Sequence, residues 1–532
     1  MEKPSWLTSR RDVLLAATTS MITAMWSRRV NASESTVRHI LPTTTDTQFS
    51  ITMSLWQPRD SVDLLVGKRR ISGVQTDSEG RHWSFHASRL NPDTTYQLQL
   101  VDDEGPFYEC WPLKTLPDRN SMPSSLRLLA FTCAGGGDGF STSTVQFFKP
   151  HKFRQRLFDS ALAQKPDVAL AIGEHIYWDL RRGGSPRVAR SSAAAEAIKQ
   201  KYGEFDRELP VLGTRNEAVL KRVGNEQIAD FYGTRFRSTS IYFVADDHDY
   251  FENDDAEKDL VTFPPDKFSS EAHAAIAQLY YPPLPNAPVK DMDRSFGALV
   301  YGRLFETPIF DCAGHLSLGG DAAGLVPDDI EQWINDRTTN SPATHFAFTP
   351  SHPFGWTAGK WREWYPDVVA PEGFTGVVIN ELLGDTKGKL TIEAQKYLWQ
   401  QGWWNQHQRL LKKLSQRAGS RFMLSGDIHA QGAVEITRSG EQDLRNSPVK
   451  SLLVGPVSTS DVTWPSSARG FAAASPAWLA ANELSATKEI NGFTMLHFTQ
   501  NSASAELYDC GGFDRTKNEN GGPQAITNID LA

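Results

Sequence analysis

PDVALAIGEHIYWD, residues 166–179, is an apolar run that stops abruptly on a carboxylate, an imidazole and a phenol. A continuous apolar stretch of this length, bounded by Pro166 and Gly173, reads as a strand buried on both faces. Similar runs precede and follow it from Leu126 onwards: LRLLAFTC, SIYFVADD, FETPIFDC, HFAFTPS, GVVIN, RFMLSG, KSLLVGP and GFTMLHFT. They alternate with helix-like stretches, which predicts an α/β core. One such stretch, about Thr391 to Arg417, predicts a long amphipathic helix carrying Leu398, Leu410, Leu411 and Leu414.

Four of the strands end on groups that make little sense as packing. LLAFTC ends on Cys133 and is followed by AGGG at 134–137; VALAIG ends on Glu174, with Tyr177 close behind. YFVA runs into Asp246-Asp247-His248-Asp249, and RFMLSG into Asp427 with His429 two residues later. Sites in α/β sheets form outside the carboxyl ends of strands, so these residues are expected to converge. Gathered carboxylates repel one another unless a cation compensates them. Thiolate, phenolate, carboxylate and imidazole together suit a hard, highly charged iron beside a divalent neighbour sharing a bridging carboxylate.

Each motif alone has a plainer reading. A cysteine at a strand end is ordinarily a small buried hydrophobe, and DDHD alone reads as a solvated acidic loop. AGGG reads equally as a phosphate-binding set of backbone amides or as a flexible turn. The joint occurrence, in order, carries the inference.

Outside this core, short alternating strands FSITMSLW, VDLLVG, RHWSFHA and TYQLQLVDD between about 38 and 118 predict a small β-sandwich. LNPDTTYQLQL places Tyr96 as in the tyrosine corner of fibronectin type III domains, and LKTLPDRNSMPSS forms a linker. The N-terminus, SRRDVLLAATTSMITAMWS, pairs Arg10 and Arg11 with a moderately apolar run too short and polar to span a bilayer. It reads as a twin-arginine signal over 1–32, which implies the twin-arginine export machinery as a partner and a periplasmic, cell-envelope or extracellular location. No transmembrane span is expected in the mature chain.

The chain has 532 residues, 39% of them hydrophobic and 22% charged, with a net charge of −8. An acidic balance argues against a nucleic-acid-binding patch. Four cysteines are too few for a disulfide framework, though one bridge among Cys110, Cys312 and Cys510 is compatible with export. The chain has neither a G-x-S-x-G elbow nor a Walker-type loop.

The order FTC (131–133), GEHIY (173–177), DDHD (246–249) and GDIH (426–429) resembles the alkaline phosphatase D (PhoD-like) metallophosphatases. The resemblance covers most of residues 38–510, including the tryptophan-containing WQQGWWNQHQRLLKKL. It implies a calcineurin-like α/β fold, a two-sheet β-sandwich flanked by helices, over 124–512, preceded by the fibronectin type III/Ig-like sandwich at 38–118. By position it implies Cys133, Glu174 and Tyr177 as ligands of Fe(III), with Glu174 as the bridge. Asp247, Asp427 and His429 would complete a dinuclear site, and His248 would stabilise substrate charge or protonate the leaving oxygen. The implied reaction is hydrolysis of phosphomonoesters or phosphodiesters, phospholipid-type substrates included, by a metal-activated hydroxide. Glu174 departs from the usual aspartate by one methylene, and Asp249 from the usual glutamate. His352, after HFAFTPS, resembles a further ligand position: with it the second divalent metal leans to Zn, Mn or Fe, and without it Ca is expected. Two other readings stand beside this one: a catalytically weakened envelope protein that binds phosphorylated ligands, and a chain whose sandwich serves adhesion or docking.

Overall fold

The computed structural model describes residues 36–139, 148–179, 199–257, 260–370, 389–393, 396–458, 465–466, 471–510 and 523–531. The proposed export signal and GVVIN lie outside the described residues.

Three of the apolar runs form adjacent parallel strands, Ser125–Thr132, Val168–Ile172 and Ser240–Val244. Gly492–Thr499, Ser502–Asp509 and Gln524–Asp530 complete a six-stranded sheet in antiparallel fashion. A second sheet contains Phe305–Phe310, His345–Pro350, Ser420–Ser425 and Val449–Leu453 in parallel, flanked by antiparallel strands including Phe296–Tyr301 and Gln431–Ser439.

Period-two alternation explains why both faces of these strands are apolar. Leu126, Leu128, Leu170 and Tyr242 point into one core together with Ala347, Phe422, Leu424 and Leu452 of the other sheet. Their neighbours Leu129, Phe131, Ala169, Ile241 and Phe243 face outward, against the helices His151–Ala163, Arg215–Gly224 and Lys267–Tyr280. Phe346, Phe348 and Met423 face the opposite way, against Asp328–Asn340 and Gln401–Ser415. Two sheets therefore pack face to face with helices outside both. At about 1.5–3 kcal/mol for each fully buried Leu or Phe side chain, this central layer is the main source of stability.

The anticipated helix from Thr391 to Arg417 is shorter, spanning Gln401–Ser415. Leu398 is left-handed at φ 55° and Gln400 is extended, while Lys396 is held by Glu363 and the Tyr365 carbonyl. Tertiary anchoring overrides the local propensity of that stretch.

Residues 37–114 form two small antiparallel sheets around a separate core that includes Phe49, Phe85, Leu98 and Trp111. Strand Val37–Thr44 covers the open edge of the six-stranded sheet, where Thr44 N donates to Ser240 Oγ and Tyr242 Oη to Thr44 O. Covering an edge removes its capacity to pair with other chains. All four cysteines are free, so the bridge considered among Cys110, Cys312 and Cys510 is absent. Among the described residues no helix is long and apolar enough to cross a membrane.

Because the parallel strands of both sheets end on the same rim, Gly426 runs against the first sheet. A Cβ there would fall on Thr132 Oγ1 and 2.7 Å from Ile172 O. Gly426→Ala is expected to lose about 1–3 kcal/mol of stability through overpacking, checked by urea unfolding followed by tryptophan fluorescence.

Candidate metal centre

Strand ends bring Cys133, Glu174, Tyr177 and His429 to one place. Tyr177 Oη donates to Glu174 Oε2 at 2.7 Å and lies 2.8 Å from His429 Nε2, which is itself 3.2 Å from Glu174 Oε2. Ligand atoms of Cys133, Glu174 and His429 lie within 4.8 Å of one another. Burial, reinforced by the neighbouring Glu174, pushes both the Cys133 thiol and the Tyr177 phenol well above their usual ranges. A cation at this point would reverse both effects, and sulfur, phenol, carboxylate and imidazole form a donor set for a hard, high-valent ion. One metal ion fits these residues.

Backbone geometry shows how firmly the donors are placed. Cys133, Glu174, Asp427 and His429 all adopt left-handed φ angles, 50°, 60°, 67° and 48°. Such conformations cost of order 1–3 kcal/mol each in non-glycine residues and persist only where surroundings enforce them. For Glu174 that enforcement comes from Asp249. Its carboxylate accepts from the amides of Glu174 (2.8 Å), His175 (2.7 Å), Ile176 (3.0 Å) and Asp246 (2.9 Å). Gln227, on the π-helical turn Asn225–Asp230, clamps Tyr177 by accepting from its amide at 2.7 Å and donating to its carbonyl at 3.0 Å. π-Helical turns recur beside functional sites.

His248 lies on the far side of Glu174, with Nε2 3.5 Å from Oε1 and its ring 4.3 Å from that of Tyr177. Its Nδ1 is 2.6 Å from Asp179 Oδ1. Burial alone would lower the imidazole pKa, but Asp179 first and then Asp247 outweigh it, leaving the group well above 6.5 and cationic at neutral pH.

Asp247, Asp427 and His352, expected around a second metal, do not share a point. Among the described residues, the ligand groupings that come within 4.8 Å are Cys133–Glu174–His429, Glu174–Asp247–His248 and Asp246–His352–Asp427, and none unites Asp247 with Asp427. Between those two carboxylates stands Lys360 Nζ, 2.8 Å from Asp427 Oδ1 and 3.7 Å from Asp247 Oδ2. Burial would raise both acids, yet Lys360 chiefly holds Asp247 down at about 2 and Asp427 well below the usual carboxylate range. Asp246 and Asp254 go the other way, Asp254 to about 7, because burial dominates there. His352 is fully buried, its Nδ1 3.3 Å from Asp427 Oδ2, and burial, followed by Arg362, lowers it to about 4. The donors expected around a second ion thus fall into two groupings, Asp247 with Glu174 and His248, and Asp427 with His352 and Asp246.

His175, in the opening motif, turns away from the site; its Nε2 meets Val244 O at 3.0 Å and its ring packs on Phe243 and Tyr281. In the AGGG segment Gly135 N is bound to Glu174 O and Gly136 N to Gln227 Oε1, so these two amides serve the protein itself, and the segment's carbonyls receive the buried Arg154 guanidinium.

With this geometry in view, the comparison with solved structures is specific. A structure described as that of PhoD matches with a TM-score of 0.60 at 13% identity, covering 94% of this chain and 91% of that one. The chain has the fold of the PhoD-like metallophosphatases. The purple acid phosphatase PPD1 from yellow lupin (Lupinus luteus) seeds matches with a TM-score of 0.51 at 10% identity, over 92% of this chain and 73% of that one. No family model and no curated protein sequence matches.

Asp179, Gln227, Lys360 and Arg362 were not anticipated from sequence. Asp179 closes the very stretch that begins the reading, five residues after Glu174, and could have been suspected as a partner for a catalytic histidine. Asp249→Ala is expected to lose about 3 kcal/mol or more, since each buried amide left unpaired costs about 1–3 kcal/mol. Thermal unfolding, with metal content measured in parallel, checks this: metal binding should fall with stability.

Proposed function

We propose that this chain is an exported metal-dependent phosphoesterase, hydrolysing phosphomonoesters, phosphodiesters or both, with phospholipid-type esters within its range. The observation that carries this reading is the position of Glu174 between the Cys133–Tyr177–His429 donors on one side and the His248–Asp179 pair on the other. The metallophosphatase fold supports it. Phosphoryl transfer needs charge neutralisation on the phosphoryl oxygens and help for the departing alkoxide, and little covalent chemistry from the protein.

Cys133, Glu174, Tyr177 and His429 would hold the ion, which we assign as Fe(III) from its thiol and phenol donors. When bound, it supplies Lewis acidity that makes water more acidic and draws charge from a phosphoryl oxygen. His248 stabilises developing negative charge and delivers its Nε2 proton to the leaving oxygen. Asp179 orients the ring and keeps it protonated. A second divalent ion, Ca or, with His352, Zn, Mn or Fe, is implied by the resemblance alone. The export signal at 1–32, the fibronectin type III-like assignment of 38–118 and the catalytic region 124–512 are part of the same proposal. Tyr96 Oη accepting from Asn91 N at 2.8 Å supports the fibronectin-like assignment.

Protein purified without chelator should turn over a chromogenic monoester or diester and lose that activity on chelation. Bound metal without turnover of either ester would favour the binder of phosphorylated ligands. His248→Asn is expected to lower kcat by about 100-fold or more with metal content unchanged, as read by steady-state kinetics and metal analysis.

The pH profile is a separate check. A raised pKa keeps His248 protonated through neutrality, and the acid form is lost as pH rises through that raised value. Asp179→Asn removes the principal stabiliser, so the alkaline limb of kcat should move to lower pH; an unmoved limb would show that His248 is not the titrating acid.

A further inference from the structure

We propose that the second cation of this centre belongs to the chain itself: Lys360, backed by Arg362, stands where a two-ion site would hold its second metal, so that one metal ion is bound per chain. The inference rests on the metallophosphoesterase reading and specifies its metal requirement.

Asp247 comes from the end of the first sheet and Asp427 from the end of the second. What joins them is Lys360 Nζ, which lies 2.8 Å from Asp427 Oδ1, 3.1 Å from Asp254 Oδ2 and 3.7 Å from Asp247 Oδ2. Arg362 lies behind, with Nη1 3.2 Å from Asp246 Oδ1, Nη2 3.6 Å from Asp247 Oδ2 and Nε 3.4 Å from Asp254 Oδ2. Both side chains are buried, Lys360 at 3% exposure and Arg362 at 0%. Four acidic side chains thus face two fixed cations in a region shielded from water.

A divalent ion between Asp247 and Asp427 would need the point that the ammonium occupies, and it would be repelled by both cations at short range. The two are not interchangeable in chemistry. An ammonium neutralises carboxylates through N–H donors, but it has no open coordination position and so cannot act on water as a Lewis acid.

The cations are also anchored, which separates them from a flexible arm that could swing aside. Trp361, between them and fully buried, donates its Nε1 to Asp254 O at 2.6 Å. Glu363 accepts from Ala358 N, Thr357 Oγ1 and Lys396 Nζ, each at 2.7 Å. The segment 357–363 is therefore tied at both ends of the Lys360–Arg362 pair.

The test is a metal count on the full chain purified without chelator, equilibrated with excess Mn²⁺, desalted and measured by plasma mass spectrometry. The wild-type protein is expected to hold one metal ion of all kinds per chain. Two ions would overturn the inference while leaving the metallophosphoesterase reading intact; none would overturn both. Lys360→Ala, which leaves the acidic group short of one cation, is expected to hold two ions. A folded Lys360→Ala protein that still holds one would show that the ammonium is not what keeps the second ion out, and would also overturn the inference. Should that variant fail to fold, the wild-type count decides alone.

Discussion

The carboxylate of Asp249 gathers four backbone amides from two strand ends, and the geometry of the centre follows from that single anchor. Three of the amides belong to the loop that carries Glu174, and the fourth to Asp246 in its own loop. Because amides 174, 175 and 176 must all point inward at one group, Glu174 is turned into a left-handed conformation that its side chain would not choose unaided. The same turn sends His175 towards the helices and leaves Tyr177 for Gln227 to hold. Burial nonetheless dominates and raises the Asp249 carboxyl to about 7, with the amide donors offsetting only part of the cost of enclosing its charge.

Around this anchor the two sheets do the positioning. Their parallel strands end at a common rim, and Thr132 N bonded to Gly455 O, with Ser458 N bonded to Cys133 O, ties one rim to the other. Cys133 and Glu174 from one sheet and Asp427 and His429 from the other therefore arrive on rigid supports. Burying so many acids together would be prohibitive without compensation. Compensation comes in three forms: the imidazolium of His248 beside Asp179, the Lys360–Arg362 pair among Asp246, Asp247, Asp254 and Asp427, and the donor pocket suited to an ion at Cys133, Glu174, Tyr177 and His429.

Much of this was legible in the sequence, for a physical reason. Strands buried on both faces show as unbroken apolar runs, so a run that ends on Cys, Glu or Asp marks the place where the chain stops serving the core and starts serving a site. That contrast singled out Cys133, Glu174, Tyr177, Asp247, His248, Asp427 and His429 as candidates, and it pointed to the α/β core. It failed where no such contrast exists. KWREWYPD, at 360–367, has the charge alternation of a solvated loop, and only tertiary packing buries Lys360 and Arg362 against acids 67 to 116 residues away in the chain. Gln227 lies in an unremarkable helical stretch, and nothing local announces a π-helical turn. The helix drawn back to Thr391 was overestimated because helix-favouring residues there are overruled by the ion pair between Lys396 and Glu363.

The central claim is that sulfur, phenol, carboxylate and imidazole from distant strand ends surround one ion. X-ray absorption at the edge of the bound metal, on the purified full-length protein, tests it most directly. The account predicts a sulfur atom among the nearest neighbours of the metal, lost in Cys133→Ser while oxygen and nitrogen neighbours remain. A metal surrounded only by oxygen and nitrogen in the unmodified protein, with a spectrum indifferent to Cys133→Ser, would contradict it.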